Sequence, residues 1–341
     1  LAGLVADRVS RKSLILGGLV FWSLVTVATG LSRGYWDLVF FRALEGFGEA
    51  FYFPASMSLI SDYHEAGTRS RAMSLHQSSV YAGTIAGGAM AGYLGQHFGW
   101  RSGFYFFGTL GLLLAIVLFG LLREPERDSR RAEVRERGAF LTGLRQVFAH
   151  PMARILTLVF VGANFVAMVF LTWLPSFLFD KFGMSLSLAG FTSTAYLQVA
   201  SVVGVLTGGT LADYMVRRHP GGRMITQSLG LYLGVPFLVL TGWTLSPVML
   251  VLSMTMFGFA KGLYDANIWA SVFDVVPVQY RATAVGFINS IGWLGGGLAP
   301  VLIASLSSSL GMSASISATG AIYLMLALLM SFGVSRYMRV R

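Results

Sequence analysis

Cysteine is absent from the 341 residues, which excludes disulfides, thiolate metal ligands and dithiol redox chemistry. Charge is scarce. Only 12% of residues are Asp, Glu, Lys or Arg, whereas soluble globular chains carry roughly 25%. That shortage excludes an ordinary cytosolic enzyme and a disordered or fibrous chain. Reactive motifs are missing too. No Gly-Lys-Ser/Thr closes a glycine-rich turn, and His64-Glu65 lacks the second histidine of a His-Glu-x-x-His site. No nucleophile–histidine–acid arrangement stands out, so no enzyme, cofactor or metal site is expected. What is present is apolar: 55% hydrophobic residues, with 41 Gly against nine Pro. Glycine is more frequent in membrane helices than in soluble ones. The composition is that of a polytopic membrane protein.

A bilayer core of ~30 Å takes about 20 apolar residues in a helix. Ten segments qualify: 13–31, 36–61, 70–95, 101–122, 152–178, 186–210, 224–243, 247–272, 280–306 and 314–336. Their apolar runs are continuous rather than alternating, which excludes a β-barrel. The fold class is an all-α membrane protein. Connections are short except for 123–150, which holds six Arg before Gly138 and reads as a solvated linker. The predicted domains are a helical bundle at 1–122, the linker at 123–150 and a second bundle at 151–341.

The formal charge of +10 invites a nucleic-acid partner, but its distribution argues otherwise. Twenty of the 25 basic residues fall in alternate loops, the linker and the C-terminus, against Arg33, Arg101 and Lys181 on the opposite side. The rich side is cytoplasmic by the positive-inside rule. An integral inner (plasma) membrane protein with a cytoplasmic linker and C-terminus is expected. Membrane lipids are then its surroundings, and no nucleic acid is needed. Arg42 and Lys261 are left over, and both lie inside spans.

The chain repeats itself. Gly3-Leu-Val-Ala-Asp7-Arg8 through Arg11-Lys12 aligns with Gly209-Thr-Leu-Ala-Asp213 through Arg217-Arg218, at an offset of 206. Gly46 to Tyr52 parallels Gly258 to Tyr264 at 212, and Arg71-Ala72 parallels Arg281-Ala282 at 210. A duplicated half is a signature of secondary-transporter architecture. Two spans precede the loop at Gly209 and none precedes the loop at Gly3. Twelve spans, ten of them within this sequence, are therefore expected. The alternative is a protein built of ten.

The loop Gly3–Lys12, its repeat, the central linker and the bundle plan resemble the major facilitator superfamily. Within it, Arg42-Ala-Leu-Glu-Gly-Phe-Gly-Glu49-Ala and Tyr52-Phe-Pro54-Ala55 look like the fourth span of the anion:cation symporter family, as do Gly99-Trp100-Arg101 and Thr172-Trp-Leu-Pro175. The same stretch, with Arg123-Glu-Pro125, also resembles Spinster-type lysolipid transporters. The resemblance implies two pseudo-symmetric six-helix bundles that rock around a central cavity, self-sufficient as a monomer. It implies proton-coupled symport of a small organic anion by alternating access. The alternatives are a lysolipid exporter and a sugar-phosphate/phosphate antiporter. The antiporter pattern puts an Arg in the seventh span, and 155–179 carries no charge.

Arg42, Glu45 and Glu49 fall at i, i+3 and i+7 on one helical stripe. Glu49 lies about 20 Å below Trp36 along the helix, near mid-bilayer, and Arg42 about 9 Å below it. A carboxylate at that depth is costly unless paired or protonated. Desolvation raises its pKa and a nearby cation lowers it, so Glu49 is a candidate proton carrier. Arg42 is its candidate partner or an anion anchor; a static ion pair is the alternative. Lys261 holds the repeat position of Glu49, with Asp265 one turn on, either as a self-neutralising pair or as an anion contact tuned by Asp265. Tyr52, Asn164 and Trp173 are candidate cavity residues. Asp7, Arg8, Arg11, Lys12, Arg71, Asp213, Arg217 and Arg281 sit at span ends and are candidate gating contacts that break as bundles rock.

Overall fold

The computed structural model describes residues 10–63, 66–123, 144–145, 147–277 and 280–338. Nine of the ten expected spans are single helices, and 247–272 is divided between two. The helices are α1 (Arg11–Gly30), α2 (Tyr35–Tyr63), α3 (Ala66–Phe98), α4 (Trp100–Leu121), α5 (Pro151–Phe182), α6 (Leu186–Val216), α7 (Gly222–Trp243), α8 (Pro247–Asp265), α9 (Ile268–Val275), α10 (Arg281–Leu310) and α11 (Met312–Tyr337). Local chemistry sets many of the ends. Ser10, Ser185 and Ser246 each accept a backbone N–H three residues on, which satisfies one orphan donor of a helix start. Pro151 and Pro247 open α5 and α8, where a missing N–H costs nothing. Gly183 closes α5 at φ 61°, a conformation that favours glycine.

Among the described residues, eight helical stretches have the length and apolarity to cross a membrane. α2 and α3, with their charges and small residues, reach 29 and 33 residues. Along α4 only Gly108 and Ala115 are buried, while Ile116, Phe119 and Leu121 are each about 70% exposed. A contiguous apolar surface of that kind is stable against lipid and not against water.

The chain divides into two compact units, Leu1–Val134 and Arg135–Arg341. In the first, α1 lies between α2 and α4, and α3 packs on α4. In the second, α5 packs on α10 and α11, α8 lies between α6 and α7, and α7 also packs on α11. A continuous core runs through the second unit, with Leu174, Leu231, Leu238, Met254, Phe257 and Tyr323 fully buried.

The repeat is structural as well as sequential, and its offset is 212 through three helix pairs. A Cβ on Gly18 would meet the Gly48 carbonyl oxygen and Tyr52 nitrogen; one on Gly230 would meet those of Ala260 and Tyr264. Gly108 abuts Val27 and the Ser23 carbonyl, and Gly320 abuts Val239 and the Val235 carbonyl. Gly99 and Gly311 open α4 and α11 with φ 82° and 80°. The α1–α2–α4 packing thus recurs in α7–α8–α11, with small residues at the closest backbone approaches, as membrane helices require.

One expected span is broken. The stretch 247–272 divides at Ala266–Asn267 into α8 and α9. The buried Asn267 side chain donates to the Gly208 carbonyl of α6 (3.2 Å) and the Leu263 carbonyl (3.3 Å). Its amide competes with the backbone for partners, which disfavours a helix interior.

Candidate functional site

The charges within the spans gather on α2 and α8, the pseudo-equivalent helices of the two units. On α2, Arg42 Nη1 donates to Glu45 Oε2 at 2.5 Å. The other carboxylate oxygen accepts from Thr26 Oγ1 of α1 at 3.0 Å. The carboxylate is largely covered, with 16% of the Glu45 side chain exposed against 57% for Arg42. The sequence spacing offered Arg42 two partners, at i+3 and i+7, and the ion pair described here is the i+3 one. Tyr52, one turn beyond Gly48, is half-buried with its ring edge-on to Trp22 at 5.9 Å.

On α8, Lys261 Nζ donates to Asp265 Oδ2 one turn away. Both side chains are mostly covered, at 17% and 20% exposure. The offset of 212 pairs Arg42 with Met254, Glu45 with Phe257, Glu49 with Lys261 and Phe53 with Asp265. Each half therefore holds one cation and at least one carboxylate on the same helix, but at different heights and with opposite sign at the shared Glu49/Lys261 position.

The other candidates divide into packing groups and end contacts. Asn164 returns its amide to the Phe160 carbonyl (2.9 Å) and sits against Gly292 of α10. Trp173 Nε1 donates to the Pro300 carbonyl at 3.2 Å. Trp173 thus stitches α5 to α10, while Asn164 bonds within α5 and packs against α10. Lys12 donates to the Phe119 carbonyl at 2.8 Å and ties the start of α1 to the end of α4. Asp213 and Arg217 are exposed at the end of α6. Asp7 and Arg8 lie outside the described residues, as do the side chains of Arg11, Glu49, Arg71 and Arg281.

Three partners were missed by sequence reasoning. Thr26 had no signal, because its role depends on how α1 faces α2. Asn267 was hidden inside an apolar run. Arg223 Nη1 reaches both oxygens of Asp274 at 2.7 and 2.8 Å, clasping the start of α7 to α9. That pair was legible in part: Arg11 and Asp62 stand 212 residues earlier. Among the described residues, no group of three or more His, Asp or Glu is placed to hold a metal.

A separate feature is an apolar groove of about 550 Å³ on the second unit, between α6 and α8. Phe191, Tyr196, Val199, Val203, Met256 and Phe259 line it.

Comparison with known proteins places these elements in a wider group. A family model described as Major Facilitator Superfamily matches residues 1–300. The chain is 25% identical over 340 residues to a "Probable galactarate/D-glucarate transporter" of Escherichia coli, covering 91% of this chain and 75% of that protein. It is 29% identical over 317 residues to "Probable anion transporter 4, chloroplastic" of Oryza sativa, covering 87% and 52%. The chain thus spans about half the length of that rice relative. Among solved structures, a bacterial homolog of the human lysosomal transporter Spinster, inward-facing and unoccupied, superposes with a TM-score of 0.80 at 22% identity, covering 97% of this chain and 84% of that one.

Proposed function

The chain belongs to the major facilitator superfamily, and from that premise we propose that it is a secondary active transporter that carries a small organic anion together with protons by alternating access. The observation that carries the reading is the charge set on α2 and α8. Two cations, Arg42 and Lys261, lie in otherwise apolar spans, each beside a carboxylate one turn away. Intramembrane ionisable groups are costly and mark substrate or ion pathways. Helix packing alone does not need them, because Met254 and Phe257 hold the Arg42 and Glu45 positions in the other half. An anionic substrate competes for the same cations. Relatives named for galactarate/D-glucarate and for anions support the substrate class.

In this reading Arg42 and Lys261 contact the anion. Glu49 carries the proton, since its repeat counterpart is a cation and one α-helical turn separates it from the Arg42–Glu45 pair. Asp213, Arg217 and Arg281, their first-half counterparts Asp7, Arg11 and Arg71, and the neighbouring Arg8 and Lys12 belong to the side that the positive-inside rule makes cytoplasmic. Bonds there that must break when the bundles rock set the conformational balance.

The test is uptake in proteoliposomes. D-glucarate and other dicarboxylates are added to the full-length protein and substrate-triggered proton movement is recorded. A proton signal for one anion class that disappears in Glu49→Gln supports the assignment. Full uphill, pH-driven uptake by Glu49→Gln would rule out Glu49 as the coupling group.

The groove between α6 and α8 favours a second reading, export of a lysolipid, whose single acyl chain suits an apolar trough of that volume. Movement of lysophospholipid with silence for every anion would select it, and would recast Arg42 and Lys261 as headgroup or packing contacts.

A further inference from the structure

Glu45 is bound at both oxygens, and its two partners are unlike. Oε2 takes Arg42 from its own helix. Oε1 takes the hydroxyl of Thr26, a buried residue of the neighbouring helix. The Thr26 hydroxyl also lies 2.9 Å from the Trp22 carbonyl. It has one proton to give, and a carboxylate is the stronger acceptor of the two.

The repeat supplies an internal control for this contact. The counterparts of Thr26 and Glu45, 212 residues on, are Leu238 and Phe257. Both are fully buried in the core of the second unit. The interface between these two helices therefore closes with apolar side chains in one half, and a polar tether is not a requirement of the packing.

The tether has a chemical consequence for Arg42. A guanidinium presents five donors in a planar fork, and a carboxylate with two open oxygens takes two of them side by side. Thr26 draws Oε1 of Glu45 toward α1, and the carboxylate meets Arg42 through Oε2 and Nη1 alone. We propose that Thr26 is a specificity-determining residue: by holding Oε1 of Glu45 turned toward α1 it limits the Glu45–Arg42 contact to one point and leaves an edge of the guanidinium open for a carboxylate of the substrate. Without the hydroxyl, Glu45 turns both oxygens to Arg42 and becomes an internal competitor. Glu45 is then a positioning residue, and Thr26 sets how strongly it competes. The inference rests on the reading of Arg42 as an anion anchor.

Uptake of D-glucarate by the full-length protein in proteoliposomes tests it. Thr26→Val is expected to raise the apparent KM about fivefold, the scale of one charge-assisted hydrogen bond exchanged for another, with Vmax little changed. Thr26→Ser, which keeps the hydroxyl, is expected to match wild type. In a Glu45→Gln background the internal competitor is gone, so Thr26→Val is expected to add nothing. A KM increase that persists in that background would show a structural effect and overturn the proposal, as would an unchanged KM in Thr26→Val. Thr26→Ala is the second hydroxyl-less variant. The rate at which phenylglyoxal modifies Arg42 reads the same pairing without transport, and is expected to fall in both. Arg42→Gln separates the two levels of argument. If it abolishes glucarate affinity while the Thr26 variants are silent, only this inference fails. If it leaves affinity intact, or if the wild type moves no glucarate, the anchor reading fails and this inference with it.

Discussion

Arg42 and Lys261 answer one physical problem with different chemistry. A cation inside a membrane bundle must be paired or solvated, and each here is paired along its own helix. The Arg42 side chain of the i,i+3 pair on α2 is 57% exposed, whereas those of Lys261 and Asp265 are 17% and 20% exposed. Lysine is a compact point charge rather than a planar fork. Its three N–H donors can serve Asp265 and a substrate carboxylate together. Lys261→Met is therefore expected to raise the apparent KM for D-glucarate at least about tenfold, since it removes a charged hydrogen bond; uptake kinetics read this, and an unchanged KM would take Lys261 out of the site. Lys261→Arg is not a conservative rescue, because the fork can pair with Asp265 at two points and still reach further.

Elements are set by their ends and by the glycines between them. His150 caps α5 by accepting the Met152 N–H through Nδ1 at 3.3 Å. Burial lowers its pKa from the usual 6.5, so the folded protein favours the neutral ring. Protonation puts a hydrogen on the accepting nitrogen and ends the cap. The sign follows: the contribution is fully present above pH 6.5 and is lost as the pH falls from there through the lower folded value. Thermal unfolding in detergent at pH 7.5 and pH 5.5 is expected to show a drop in the wild type that shrinks in His150→Asn, whose amide caps without titrating. The glycine contacts give a second expectation. A methyl on Gly108 or Gly320 would come within 2.5 or 2.8 Å of Val27 or Val239. Gly108→Ala and Gly320→Ala are each expected to destabilise by about 1–3 kcal/mol through overpacking, seen as a lower melting temperature, with matching effects because the two sites are the same contact in different halves.

At the scale of the whole molecule, the two units share one plan. The second has a continuous buried core from Val147 to Val334. Among the described residues of the first, Ile15 and Leu59 pack with Leu14, Tyr52 and Leu122. A fragment of residues 144–341 is expected to unfold cooperatively in detergent micelles, followed by circular dichroism; a broad, non-cooperative loss of helicity would show that the second unit depends on the first. Much of this architecture was legible beforehand. Ten apolar runs became helices close to their expected bounds, because length and apolarity are set by the bilayer and need no knowledge of neighbours. The duplication was legible because both halves keep small residues and charges at matching places. Only the break at Asn267 escaped, since one polar side chain in an apolar run signals nothing until a carbonyl on another helix stands opposite it.

Sequence alone therefore determined the helical membrane fold, the repeat and which helices carry charge. Tertiary structure supplied the partners on other helices: Thr26 for Glu45, Asp274 for Arg223. Spacing along a helix limits which of its own residues can meet, and it left Arg42 a choice of two. Partners on other helices depend on the rotation and register of one helix against another, and those are set by packing across the bundle, which no local stretch of sequence contains.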